Sequence, residues 1–291
     1  MRLSILFLLF AALTLAACAG DADDADEYGD AMSREHADDT PTSNALSTPL
    51  ENADIVTEDV TYATIEGESV TGYLARPDTA DGTRPGLIVI HEWWGLNDNI
   101  RTMADRLAAE GYVALAVDLY RGDVAEAPDQ ARTLMSSAMD RQDALTANLT
   151  QAYEYLQLQQ NVDEVGSIGW CFGGGWSLRT ALALSDQLDA AVIYYGQLVT
   201  DPDRLAALDM PVLGIFGAED ESIPLDQVRE FGDTLDSLGT DVTIEIYESA
   251  GHAFANPSGE RYVPDAAEDA WQTTLSFLDR TLRDGDDSDS M

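Results

Sequence analysis

The sequence predicts an α/β protein with a mainly parallel β-sheet and helices on both of its faces. The first observation is a set of short, continuous apolar runs, such as 86–90 and 212–216. Strands of a parallel sheet have this composition because both of their faces are buried. The second observation is that segments with helical spacing separate these runs, as expected when a helix connects each strand to the next. With 291 residues, 45% of them hydrophobic, the chain can bury one substantial core.

The first predicted elements follow a polar N-terminal region. Residues 56–65 and 69–75 have strand composition on either side of Gly67, which predicts a β-hairpin. Apolar side chains then recur at helical spacing from Ile100 until Gly111, where the predicted helix stops. The other elements predicted in this half are strands at 86–90 and 112–117 and one long helix at about 129–158.

The second half of the chain repeats strand and helix in turn. Its predicted strands are 165–168, 190–195, 212–216 and 242–247. Its predicted helices are 176–184, 224–238 and 264–282, and a short acidic loop is expected at 201–209. This regular alternation predicts one folded domain over 56–283, followed by an acidic tail over 284–291.

The charge is strongly negative. The chain has 54 acidic and 15 basic residues, a formal net charge of -39, and every basic residue is arginine. Such a surface repels nucleic acid and anionic lipid headgroups, so we exclude both as binding partners. A dense carboxylate surface without lysine favours a halophilic protein that stays soluble in high salt, where screening weakens self-repulsion. The alternative is a protein that is merely acidic.

The N-terminus has the features of an export signal. One arginine precedes an apolar run that is too short for a comfortable membrane span, which predicts a signal peptide over 1–17. The tetrad LAAC at 15–18 resembles a bacterial lipobox, which implies lipidation of Cys18 and an outer-membrane lipoprotein of the cell envelope, since Ala19 follows. Ordinary secretion with a chance cysteine is the alternative. The membrane is therefore expected as a partner only through this lipid anchor.

Residues 18–55 are rich in Asp, Ala, Ser and Thr and poor in large apolar side chains. A segment of this composition cannot bury enough apolar surface to offset the entropy of ordering. The sequence therefore predicts a flexible acidic tether, with His36 as a solvated side chain that has no role.

The stretch at 169–175, GWCFGGG, lies between a predicted strand and a predicted helix. A reactive side chain flanked by glycines at a strand-to-helix turn is typical of the nucleophile elbow of the α/β-hydrolase fold. Cys171 would then be exposed at the helix N-terminus, where the dipole and free amides favour the thiolate. If Cys18 is lipidated, Cys171 is the only remaining thiol, and a catalytic role would explain its presence in an exported protein.

A thiol nucleophile needs a base, and the base needs an orienting acid. In this fold the order along the chain is nucleophile, acid, histidine. The chain has three histidines, and only His252 follows the last predicted strand. The acid is expected after the strand that ends at residue 216, where we choose Asp220, although spacing alone does not exclude Glu219 or Glu221.

These motifs resemble those of the dienelactone hydrolase family of α/β-hydrolases, over residues 56–282. The family shares a Gly-x-Cys-x-Gly-Gly elbow, a Gly-x-x-Asp acid loop and an Ala-Gly-His-x-Phe histidine loop. The corresponding segments here are 169–174, 217–220 and 250–254. The resemblance implies that Cys171 is the nucleophile, His252 the base and Asp220 the group that orients the base.

A fourth match is HEWWGLN at 91–97, directly after a predicted strand. The resemblance implies that Glu92 contacts the resting thiol. It also implies that the amides of Trp93 and Phe172 form an oxyanion hole, which requires two fixed donors. The alternative is that residues 91–94 only pack in the core.

The implied reaction is hydrolysis of a small ester or lactone through an acyl-cysteine, in which His252 activates water. No metal or organic cofactor is called for, and we expect a monomer. A thioesterase, a small peptidase or an acyltransferase on the same fold is the alternative enzyme. A non-catalytic ligand-binding lipoprotein is a further alternative, against which the complete set of catalytic residues argues.

The substrate contacts depart from the family. Its characterised members hold a substrate carboxylate with arginines, one of them four residues after the catalytic histidine, where this chain has Asn256. Arg121 lies near, but not clearly at, the position of the other arginine. Four tryptophans surround the motifs and predict an aromatic-lined pocket that suits a neutral or hydrophobic ester. They are Trp93, Trp94, Trp170 and Trp176.

Overall fold

The computed structural model describes residues 20–37, 39–42, 54–79, 82–160 and 162–283. The predicted signal peptide, the lipobox with Cys18 and the acidic tail lie outside these residues and stay predictions. None of the described helices is both long enough and apolar enough to cross a membrane.

Eight strands form one sheet in the order β1-β2-β4-β3-β5-β6-β7-β8. The two strands of the hairpin pair antiparallel, β2 also pairs antiparallel with β4, and all later pairs are parallel. This confirms the predicted α/β fold. The strands are β1 Ile55–Ile65, β2 Glu68–Pro77, β3 Gly86–Ile90, β4 Val113–Val117, β5 Val165–Trp170, β6 Ala190–Tyr194, β7 Val212–Gly217 and β8 Val242–Tyr247. Every residue of β3 to β7 is buried, as their apolar runs require.

Eight helices lie around or beside the sheet in the described chain. They are α1 Gly20–Glu35, α2 Asp98–Ala109, α3 Pro128–Met139, α4 Gln142–Gln160, α5 Phe172–Ala183, α6 Pro202–Leu205, α7 Leu225–Leu238 and α8 Pro264–Leu282. The predicted helix over 129–158 is in fact two helices, because α3 ends with Asp140 as its C-cap. The expected loop at 201–209 contains α6, whose first turn is capped by the Asp201 carboxylate accepting from the amide of Asp203 at 2.9 Å.

The strand order creates a switch point between β3 and β5. From β3 the chain moves to β4 on one side, and from β5 it continues to β6 on the other side. Loops at the carboxyl ends of the two central strands therefore diverge and leave a crevice, which is where ligands bind in open α/β sheets. The candidate residues Glu92 and Cys171 follow β3 and β5, and Asp220 and His252 follow β7 and β8.

The prediction of a flexible tether is wrong for residues 20–37 and 39–42. Residues 20–35 form α1, which packs against α3 and the crevice. Tyr28, Met32 and His36 are buried and recur at every fourth position, so they form one stripe along the helix and the turn directly after it. The composition of the segment did not indicate this stripe, because three buried residues on one face do not raise its low mean hydropathy. His36 is 2% exposed, so it is not a solvated side chain.

Candidate active site

Cys171 occupies a sharp turn between β5 and α5. Its φ and ψ are 58° and -120°, a conformation that costs a residue with a side chain about 1 to 3 kcal/mol. The amide of Cys171 donates to the carbonyl oxygen of Tyr194 on the neighbouring strand at 3.0 Å, which fixes the turn on the sheet. The turn therefore has the backbone form of the predicted nucleophile elbow.

Two glycines permit the close approaches around this turn. A Cβ on Gly169 would lie 2.1 Å from the carbonyl oxygen of Gly173, within the elbow itself. A Cβ on Gly173 would lie 2.3 Å from the carbonyl oxygen of Ile90 and 2.5 Å from that of His91. No side chain fits at such distances, so the glycines let the start of α5 touch the loop that carries Glu92 and Trp93.

The structure pairs His252 with Asp220. Nδ1 of His252 lies 2.8 Å from Oδ2 of Asp220, and both side chains are fully buried. The other carboxylate oxygen, Oδ1, accepts from the amides of Ser222 and Ile223, each at 2.8 Å. Both oxygens of Asp220 are therefore engaged, and this carboxylate can hold the imidazole in one orientation.

The two alternative acids lie away from the imidazole. Glu219 and Glu221 are exposed, whereas Asp220 is buried between them. The structure thus favours Asp220 over its neighbours, a choice that sequence spacing alone left open.

The environment of His252 combines two opposing effects. Burial acts to lower its pKa, but the charges of Asp220 and Cys171 and the hydrogen bonds to them raise the pKa well above its ordinary value. Cys171 therefore lies close to this ring. Within the described residues, Nε2 of His252 has no hydrogen-bond partner of good geometry. Such contacts commonly tighten only when a substrate is bound.

Glu92 is buried in the loop after β3. Its Oε2 accepts from Nδ2 of Asn256 at 2.5 Å. Burial raises the pKa of Glu92 to about 7, helped by the charge of Asp39 and opposed by that of His252. Glu92 can therefore exchange a proton near neutral pH. The side-chain amide of Asn256, a predicted substrate contact, thus donates to Glu92 within the site.

The predicted oxyanion donors are the backbone amides of Trp93 and Phe172. Phe172 is the first residue of α5, and the first four amides of a helix have no partner within it. Trp93 lies in the β3 loop that touches this helix start through Gly173. Trp93 and Trp94 have ring centroids 5.0 Å apart, and both line the cavity that contains Cys171.

Three predicted substrate contacts are wrong. Arg121 forms ion pairs with Glu66 and Glu68 of the β1–β2 hairpin and lines a different depression. Trp176 lies against α4, and Trp170 lines a separate groove beside α2 and α8. Side chains next to the elbow in sequence point to both faces of the sheet, so only the two tryptophans of the β3 loop reach the cavity.

The expected exposure of the thiol is also wrong, because Cys171 is only 1% exposed. The residues after α1 form part of the cavity wall beside it, together with Glu92, Trp93 and Trp94. The cavity has a volume of only ≈ 10 Å³, roughly the room for one water molecule. The N-terminal segment therefore covers the candidate nucleophile.

Sequence reasoning missed three aromatic residues of the site. The ring of His36 lies 5.3 Å and that of Tyr195 lies 5.2 Å from the ring of His252, measured between centroids. Tyr28 is near enough to Cys171 and Asp220 for their charges, after burial, to raise the pKa of its hydroxyl. The i, i+4, i+8 spacing of Tyr28, Met32 and His36 was the signal that could have revealed Tyr28 and His36. Nothing in the sequence around Tyr195 sets it apart.

One group of potential metal ligands lies at the site. Single ligand atoms of Glu35, Asp220 and His252 are all within 4.8 Å of one another. Asp220 and His252 are bonded to each other, and Glu35 accepts a hydrogen bond from Ser222. These contacts account for all three side chains, so the group needs no ion to explain it.

The fold, the elbow at Cys171 and the buried pair of His252 and Asp220 together are those of an α/β-hydrolase. Residues 70–282 match the family model described as the dienelactone hydrolase family. The chain is 35% identical over 223 residues to Protein usf of Aquifex pyrophilus, covering 74% of this chain and 95% of that protein. It is 31% identical over 224 residues to a protein of Aquifex aeolicus (strain VF5) provisionally named carboxymethylenebutenolidase, covering 75% of this chain and 96% of that protein.

A solved structure agrees with this assignment. A protein of Klebsiella pneumoniae subsp. pneumoniae MGH 78578, provisionally named a dienelactone hydrolase, superimposes with a TM-score of 0.69 at 31% identity. The match covers 77% of this chain and 98% of that one. The chain belongs to the dienelactone hydrolase family and is a dienelactone hydrolase-like hydrolase, as its motifs predicted.

Proposed function

We propose that the protein hydrolyses a carboxylic ester or lactone with Cys171 as nucleophile, His252 as base and Asp220 as the orienting acid. The observation that carries the proposal is the buried 2.8 Å contact between His252 and Asp220, next to a cysteine in the strained elbow conformation. A positioned base beside a nucleophile, itself oriented by an acid, is the arrangement that covalent acyl transfer requires.

In the first half of the reaction, His252 holds the proton of Cys171, and the resulting thiolate attacks the carbonyl carbon, so that a C–S bond forms. The carbonyl electrons move onto oxygen, where the amides of Trp93 and Phe172 would donate to the oxyanion. When the C–O bond breaks, the leaving alcohol takes a proton from the imidazolium of His252. A lactone follows the same steps, except that its alcohol stays attached to the acyl group.

In the second half, His252 takes a proton from water and the resulting hydroxide attacks the acyl-cysteine. Collapse of the intermediate breaks the C–S bond and releases the acid, and the thiolate and imidazolium are restored. Asp220 keeps Nδ1 of the ring protonated through both halves, so that Nε2 is the nitrogen that accepts and returns protons. Glu92, whose pKa is raised to about 7, can exchange a proton with groups next to the sulfur of Cys171 in the cavity.

The lining of the cavity supports an uncharged substrate. Trp93 and Trp94 provide apolar walls, Asn256 carries no charge and donates to Glu92, and the cation in the lining, Arg261, is paired with Asp39. We therefore expect neutral esters and lactones to be accepted, with no requirement for a carboxylate at Asn256.

The test is to trap the acyl-enzyme. We expect purified protein mixed with p-nitrophenyl esters, thioesters and lactones to gain the acyl mass on the Cys171 peptide. Cys171→Ala should lose hydrolysis by at least about 10³-fold. Cys171→Ala with parental activity, or an acyl group found on another residue, would refute the mechanism. Faster turnover of thioesters than of oxygen esters would assign a thioesterase instead.

A further inference from the structure

The N-terminal segment contacts the reacting residues themselves. The ring of His36 lies 5.0 Å from that of Trp93 and 5.3 Å from that of His252. Glu35 accepts a hydrogen bond from the hydroxyl of Ser222, whose amide holds Asp220. The segment is therefore placed on the base, on its acid loop and on one wall of the cavity at the same time.

Polar contacts hold the segment at its C-terminal side. Nδ1 of His36 lies 2.5 Å from Oδ2 of Asp39 and 2.7 Å from Nη1 of Arg261, and Arg261 is also 3.1 Å from Asp39. Nδ1 can donate to the carboxylate or accept from the guanidinium, but not both, so the proton on His36 decides which bond forms. The amide of Thr42 donates to the carbonyl oxygen of Ser258 at 3.0 Å.

The covered cavity is too small for an ester. Its volume of ≈ 10 Å³ compares with roughly 300 to 1,000 Å³ for sites that enclose small ligands. A substrate can therefore reach Cys171 only if part of this lining moves, and the segment is the part that does not belong to the α/β body. The arrangement with α1 in place is a closed state of the enzyme.

The closed contact leaves polar groups unsatisfied, which separates it from permanent core packing. Within the described residues, Nε2 of His36 and Nε1 of Trp93 are buried without hydrogen-bond partners. Unmade buried hydrogen bonds oppose burial. Movement of the segment away from the site would let both groups reach water or substrate.

We propose that residues 20–37 and 39–42 form a removable strap that inhibits the enzyme by covering Cys171, with Tyr28, Met32 and His36 as the inhibitory face. The inference rests on the proposed function in so far as inhibition refers to ester hydrolysis. Its structural part, reversible covering of the thiol, is independent of the reaction.

Protonation of His36 makes the stability of the closed state depend on pH. Burial, then the charges of His252 and Arg261, lower the pKa of His36 to about 4 in the closed state, although Asp39 acts to raise it. An uncovered imidazole has a pKa of roughly 6.5. At His36 the closed state therefore binds fewer protons, which acts to destabilise it as the pH falls from about 6.5 toward about 4. Glu92 in the same cavity acts in the opposite direction, because burial and the charge of Asp39 raise its pKa to about 7.

The test uses the full chain and two readouts. The first is the rate of iodoacetamide modification at the Cys171 peptide, followed by mass spectrometry, and the second is kcat/KM with p-nitrophenyl acetate. Met32→Ala, which shortens the buried face, should raise both by at least about tenfold. Arg34→Ala on the exposed side of α1 is the matched control and should change neither.

The outcomes separate the strap from the mechanism. If Met32→Ala leaves alkylation as slow as in Arg34→Ala, the strap proposal is wrong. If alkylation accelerates but hydrolysis falls, α1 is part of the working site and inhibition is refuted. If alkylation accelerates and no ester is hydrolysed by any variant, the strap stands and the proposed function fails. Near-ultraviolet circular dichroism of each variant shows that the α/β body is intact.

Discussion

At the residue scale, the decisive feature is that Asp220 uses both carboxylate oxygens. One oxygen accepts from His252, and the other accepts from two consecutive backbone amides of its own loop. A carboxylate fixed in this way cannot rotate without losing several hydrogen bonds. The imidazole is therefore oriented by the backbone of the β7 loop, through one intervening side chain.

Asp220→Asn should keep the shape of the site and remove its chemistry. An amide nitrogen facing Nδ1 makes that ring nitrogen an acceptor, which moves the proton to Nε2, where it blocks the base. We expect kcat for p-nitrophenyl acetate to fall by about 10² to 10⁴ fold, while the melting temperature changes little. Steady-state kinetics and thermal unfolding of the same preparation measure both.

The control for this change is Glu219→Gln, which alters the exposed neighbour by the same chemistry. It should retain parental kcat. Retained activity in Asp220→Asn together with a loss in Glu219→Gln would show that Glu219, and not Asp220, orients the base.

At the element scale, the site depends on the contact between the start of α5 and the loop after β3. The parallel pairing of β3 with β5 places the carboxyl ends of these two strands side by side. The final approach of helix to loop is possible because Gly173 has no side chain. Backbone contact at this point sets the separation between the amides of Phe172 and Trp93.

Gly173→Ala should disturb this contact. Its methyl group would lie 2.3 Å from the carbonyl oxygen of Ile90, so backbone must shift. We expect the melting temperature to fall by roughly 2 to 10 °C. The value of kcat/KM should fall as well, because the proposed oxyanion donors move apart. Differential scanning calorimetry and ester kinetics provide the two measurements.

Gly259→Ala is the matched control, since the nearest atom to its added Cβ, apart from chain neighbours, is 3.6 Å away. It should melt within about 1 °C of the parent, as substitutions without a steric cause usually do. Equal losses in the two alanine variants would show that the destabilisation comes from glycine replacement in general.

The elements differ in how far sequence could predict them. Strands and helices of the α/β body were predictable because buried parallel strands are continuous apolar runs, and the elbow was predictable because its glycines carry a motif. The break at Asp140 was not, since helical spacing continues on both sides of it. The position of α1 was not predictable either. Its three buried contact residues lie among many acidic ones, so the average composition of the segment is still that of a linker. The directions of Trp170 and Trp176 depended on tertiary packing alone.

At the scale of the whole molecule, salt weakens two kinds of electrostatic interaction, with opposite effects on stability. Exposed pairs such as Arg101–Asp59 and Arg280–Asp241 are attractive, but each is worth only about 0 to 1 kcal/mol and weakens with salt. The net charge of -39 produces repulsion across the entire surface, and salt weakens this as well. With 54 acids and 15 bases, most acidic groups can have no basic partner, so the repulsive contribution should dominate.

We therefore expect the melting temperature to rise as NaCl is increased from 0.05 to 2 M (about the range over which the Debye length falls from over 10 Å to under 3 Å). Scanning calorimetry across this series measures the effect. Sucrose at matched osmolality is the control, because it is excluded from the surface without screening charge. A rise in NaCl well beyond that in sucrose would support adaptation to high salt. A flat or falling melting temperature in NaCl would show that ion pairs outweigh repulsion, and the halophilic interpretation of the composition would be wrong.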